Sequence, residues 1–136
     1  MCVKIKAKIL FLKFYSGGIV IMENKEKMDI EKEFQHYLEI FKHDKELGKA
    51  LSLVSFPALF NDKFLQENSK FTSMNDLIIR SGFGIMNLLE VENVNQEKWN
   101  AYIAKNSNCT TWFEFGKLAM IEWMKAKLEE VKNAAN

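Results

Sequence analysis

Phe64-Leu65-Gln66-Glu67-Asn68-Ser69-Lys70-Phe71-Thr72-Ser73-Met74-Asn75-Asp76-Leu77 is followed 38 residues later by a second phrase in the same register. That phrase is Tyr102-Ile103-Ala104-Lys105-Asn106-Ser107-Asn108-Cys109-Thr110-Thr111-Trp112-Phe113-Glu114-Phe115. Asn68/Asn106, Ser69/Ser107 and Thr72/Thr110 are identical, and Phe/Tyr, Leu/Ile, Ser/Thr, Asp/Glu and Leu/Phe replace one another conservatively. Each copy reads as the end of one helix, a short polar loop and a capping box opening the next helix, Ser73 to Asp76 and Thr111 to Glu114. The offset also aligns Pro57 with Asn95, the starts of the two leading helices. Residues 57–82 and 95–131 are therefore expected to be two tandem αα-hairpins with equivalent turns. Duplication and convergence on one capping grammar both give this pattern, and a solenoid would need a third copy, which the chain lacks.

Working outward, residues 29–43 form an amphipathic helix with Ile30, Phe34, Tyr37, Leu38 and Phe41 on one stripe and Asp29 as N-cap. The phase breaks after His43, so a second helix over 45–54 restarts behind Asp44. Pro57 suits the first turn of a third helix reaching Asn68, with Phe56 extended before it. A fourth helix ends at Gly82, a left-handed cap on which Phe83 folds back. Residues 84–94 have no clear period. Asn95 caps a fifth helix, with Val94 and Trp99 as a staple and Trp99, Tyr102 and Ile103 facing inward. The last helix, 112–131, is apolar over more than half its circumference and must pack on several sides. The fold class is all-α, a compact bundle of about six helices spanning 28–131, with 132–136 as a frayed tail.

Composition agrees with one such domain. Of 136 residues, 48% are hydrophobic and 27% charged, with one Pro and eleven Phe. Two cysteines are too few for a disulfide framework and fit a reducing cytoplasm. Four of the 19 basic residues and none of the 18 acidic ones precede Met22, which leaves 15 basic against 18 acidic and a net charge of −3 beyond it. A mildly acidic body argues against phosphate-backbone binding, so nucleic acid is not an expected partner. Residues 1–21 read as translated leader or a non-core segment: Val3 to Ile9 alternates apolar and basic, and Gly17-Gly18 precedes Met22-Glu23-Asn24-Lys25, which opens like a cytosolic start. The segment is too short to span a bilayer, Lys13 interrupts its apolar run, and no membrane association is expected.

Little in the chain is chemistry. Glu33-x-x-His36, with Glu39 and His43 nearby, has di-metal bundle spacing, but these side chains lie opposite the Phe34 stripe and the second Glu-x-x-His is missing. Cys109 precedes a capping box and reads as a small buried apolar residue. No catalytic, metal or cofactor residues are assigned, and the expected function is a non-catalytic protein acting through protein–protein interaction or self-assembly. Its expected surface is the line Phe113, Met120, Met124 and Leu128 on the last helix, left for a homodimer partner or another protein if the Trp112, Ala119, Trp123, Ala126 line faces the core. Two other classes compete. One is a helix-turn-helix regulator, residues 74–81 and 85–91 about the Gly82 turn, although the second element has no Lys or Arg and Arg80 is the only arginine. The other is a small-ligand carrier with an aromatic pocket among Trp99, Trp112 and Trp123.

Overall fold

The computed structural model describes residues 29–135, and the leader reading of 1–21 lies outside them. The described residues form an all-α fold of seven α-helices and one 3-10 helix, with no strands. In order these are α1 (Ile30–Lys42), α2 (Lys45–Ser52), α3 (Phe56–Leu59), α4 (Asp62–Asn68), α5 (Met74–Arg80), the 3-10 helix (Leu88–Asn93), α6 (Gln96–Asn106) and α7 (Trp112–Ala135).

Side-chain caps set most of these boundaries. Asp29, Asp44, Ser73 and Asn95 each accept a hydrogen bond from the backbone N–H three residues on. Thr111 does the same for Glu114 at the start of α7. Every cap satisfies a donor that the first helical turn cannot. The third expected helix, however, is two. Asn61 accepts from the Phe64 N–H at 2.9 Å and donates to the Ala58 carbonyl at 2.9 Å, which ends α3 and starts α4. Phe56 is not an extended residue before Pro57 but the first residue of α3, because Ser55 takes the cap position and accepts from Ala58 N–H. At the other end, α7 continues past Val131 to Ala135, through Lys132 near the negative end of the helix dipole.

The two phrases form equivalent turns and also pair with each other. Ser69 and Ser107 make an antiparallel bridge. Lys70 N–H donates to the Asn106 carbonyl at 2.8 Å, and Asn108 N–H donates to the Asn68 carbonyl at 3.2 Å, so the contact looks the same from either copy. Within each turn the bonds repeat. Asn68 and Asn106 amides donate to the carbonyls of Phe64 and Tyr102. Ser69 and Ser107 hydroxyls donate to Leu65 and Ile103 and accept from the amides of Phe71 and Cys109. Asp76 and Glu114 accept from the amides of Thr72 and Thr110, one residue further back than a standard capping box. The Thr72 amide first, and Arg80 as well, holds the Asp76 carboxyl below the usual aspartate range.

Tyr102 ties the hairpins together by donating its hydroxyl to the Leu77 carbonyl at 2.6 Å. Its counterpart Phe64 instead packs on Phe115, with ring centres 5.3 Å apart. Burial pushes the Tyr102 phenol up to about 12 from 10.0. The native state therefore keeps the proton where the unfolded chain loses it, and this contribution to stability is full below pH 10 and lost as the pH rises through about 12. Urea midpoints measured across that window should fall in the wild type, and Tyr102→Phe should remove part of the fall.

Helix α7, about 36 Å long at 1.5 Å per residue, is divided along its length. Its first half, with Trp112, Phe115, Leu118 and Ala119, enters the main core with Phe60, Phe64, Leu65, Leu77, Trp99 and Ile103. The part from Met120 onward, with Trp123, Met124 and Leu128, packs under α1 and α2 against Phe41, Leu47, Phe34, Tyr37 and Leu51. Glu31 pairs with Lys117 and Phe41 meets Trp123, so α1 and α7 run side by side in the same direction.

Candidate interaction surface

The line expected to face a partner is mostly covered within the chain. Met124 is fully buried, and Met120 and Leu128 are half-buried against the same α1–α2 cluster. The reason is the lengthwise division of α7: beyond Ala119, Met120 and Met124 turn to α1 and α2 together with Trp123. Phe113 alone stays open, at 72% exposure. Even there the Lys117 ammonium sits 4.3 Å from the ring centre and also 5.4 Å from Phe34. Lys117 is paired with Glu31, whose carboxyl it holds below the usual range.

The other candidates separate in the same way. Trp99 and Trp112 meet edge to face at 5.5 Å in the main core, whereas Trp123 belongs to the second cluster with Phe41, so the three tryptophans do not line one pocket. Among the described residues the buried indole N–H of Trp99 meets no hydrogen-bond acceptor. Cys109 is buried, in the position Phe71 takes in the first copy. His43 and Glu39 lie 3.2 Å apart on an exposed face, and Lys42, then His43, draws the Glu39 carboxyl below its usual range. No group of three or more His, Cys, Asp or Glu with metal-binding placement occurs among the described residues.

The helix-turn-helix candidate keeps its turn but not its second helix. Gly82 and Gly84 have φ of 71° and 75°, a region costly for other residues. Phe83 between them is drawn onto Trp99, at 5.4 Å, and Tyr102. Beyond this turn the chain enters the six-residue 3-10 helix capped by Asn87, with Leu88 and Val91 buried. A reading helix would need a longer α-helix with its polar side chains free.

This connection, which has no clear period in the sequence, is one place where apolar side chains reach the surface. Ile85, Leu88 and Val91 anchor it in the main core, beside Ile78 in the last turn of α5, which also carries Ile79. Between those anchors Ile79 is 67% exposed, Met86 82% and Leu89 68%. The only signal in the sequence was the run Ile85-Met86-Asn87-Leu88-Leu89, too apolar for a loop and too short for a helix face. No helix among the described residues is long and apolar enough to cross a membrane. No family model matches the chain, and neither a curated protein nor a solved structure matches it.

Proposed function

We propose that the protein is a non-catalytic interaction module of the cytoplasm that docks another protein on the connection between α5 and α6. One observation carries this reading: three of the seven large exposed hydrophobics among the described residues, Ile79, Met86 and Leu89, fall within residues 79–89. Single exposed apolar residues are ordinary on any surface, but a local group on a segment pinned by buried neighbours is a typical binding feature. Pinning matters because a pre-ordered surface loses little conformational entropy on docking. The polar groups of the paired turns are occupied with one another, whereas the exposed side chains of Met86 and Leu89 take no part in the core that holds their neighbours. The partner is taken to be a different protein, since the methionine line that suited a second copy is largely covered by α1 and α2.

A photo-reactive amino acid placed at Met86, with Lys49 on α2 as the control position, tests this in cells. The expected result is one discrete cross-linked protein from position 86 and none from 49. Purified, that protein should bind the wild type and lose binding to the Met86→Ser/Leu89→Ser variant. That variant's stability should stay within about 0.5 kcal/mol of wild type, because both side chains are exposed. Identical cross-linking at the two positions, or a partner indifferent to the double substitution, would refute the reading. A cross-linked second copy, with dimers by light scattering, would replace it with self-association.

A further inference from the structure

We infer that the segment docking on this connection is basic as well as apolar: an amphipathic stretch whose aliphatic anchors are flanked by Lys or Arg. The inference rests on the interaction reading above and names the chemistry of its partner. Residues 81–97 carry Glu90, Glu92 and Glu97 and no Lys or Arg, and Arg80, next to Ile79, is engaged by Asp76, the Lys70 carbonyl and the Phe71 ring.

The backbone puts two of these carboxylates, Glu90 and Glu92, beside the apolar anchors. A 3-10 helix has three residues per turn, so positions i and i+3 eclipse. One edge, Leu88 and Val91, is buried in the core. Leu89 and Glu92 therefore share the next edge, and both are exposed. Glu90 accepts a hydrogen bond from the Met86 N–H at 3.1 Å, which sets its charge at the backbone of the most exposed anchor. Glu97 lies in the first turn of α6. Its neighbour Gln96 clamps α6 to the connection by donating to the Val91 carbonyl at 2.8 Å and the Val94 carbonyl at 3.0 Å. Among the described residues none of the three glutamates forms an ion pair.

A partner that covers Leu89 also takes water from Glu92. A carboxylate desolvated without a counter-charge is costly, so a neutral partner is penalised and an acidic one repelled. A Lys or Arg one turn from an aliphatic anchor removes that penalty, and its long stem can lie over Leu89 while the charge reaches the carboxylate. Apolar contact supplies the attraction, and the glutamates choose among apolar partners.

Fluorescence anisotropy on the full chain tests the charge requirement with two labelled probes, a Leu–Lys amphipathic helical peptide and a Leu–Glu peptide of the same length. The Leu–Lys peptide should bind, more weakly as salt is raised, and the Leu–Glu peptide should not. Glu92→Gln should weaken binding about threefold, as for an exposed charge pair, and flatten the salt dependence. Met86→Ser/Leu89→Ser should abolish it. Equal binding of both peptides, lost in the Met86→Ser/Leu89→Ser variant, would overturn the basic-partner inference while leaving the interaction surface standing. Absence of binding by the Leu–Lys peptide, or binding that ignores Met86→Ser/Leu89→Ser, would also overturn it. The cross-linking result at Met86 judges the surface separately.

Discussion

Met124→Ala is expected to lower the free energy of unfolding by about 2–5 kcal/mol, the usual range for emptying a buried Met site, and to leave the oligomeric state unchanged. The side chain has no exposed surface, and it packs with Phe41 and Leu47 where α1 and α2 close over the second half of α7. Truncation removes transfer free energy and leaves a void that Phe41, fixed by its contact with Trp123 at 6.0 Å, cannot fill without tilting α1. Met124→Lys should be worse, because an ammonium placed there has no carboxylate within the cluster to meet. Urea denaturation gives the stability change and light scattering the oligomeric state. A dimer dissolved by Met124→Ala, with monomer stability almost intact, would return this residue to a partner-facing role.

Ser69→Ala and Ser107→Ala are each expected to cost about 1–3 kcal/mol, since each removes the hydroxyl that accepts from a part-buried backbone amide and fixes the turn. Ser69 donates to Leu65 at 2.7 Å and accepts from Phe71 at 3.1 Å, and Ser107 repeats this with Ile103 at 2.8 Å and Cys109 at 3.1 Å. The double variant should lose less than the sum of the singles. Displacing either turn also breaks the bridge on which the other depends, so the second substitution finds part of its damage already done. A double-mutant cycle by chemical denaturation measures this. Additivity to within about 0.5 kcal/mol would mean that the turns act independently.

The caps were legible because they are local chemistry. Asp29, Asp44, Ser73, Asn95 and Thr111 each act on an amide three residues away, and that distance is written in the sequence. The break at Asn61 was not legible, since Phe60, Phe64 and Leu65 have a spacing that one unbroken helix satisfies equally well. Periodicity likewise identified α7 as apolar on several sides without saying which neighbour covers which side. The sequence divided that helix around its circumference into a tryptophan line and a methionine line. The fold divides it along its axis instead, and three of the four residues assigned to a partner went under α1 and α2. The repeat announced equivalent turns, but their pairing joins residues 38 apart and depends on both hairpins being in place. The exposed connection was illegible for a related reason: its three-residue period matches neither a helix nor a strand.

The bridge between Ser69 and Ser107 also changes where this chain can vary in length. Turns between helices ordinarily absorb insertions and deletions, because little depends on their path. Here each turn is the other's hydrogen-bonding surface, so a residue added to one moves the acceptor that its twin requires. The two turns are thus bound to a common length, and drift in one demands a matching change in the other. Freedom to lengthen falls instead to connections that make no such pairing, such as the one at the exposed Leu53 between α2 and α3.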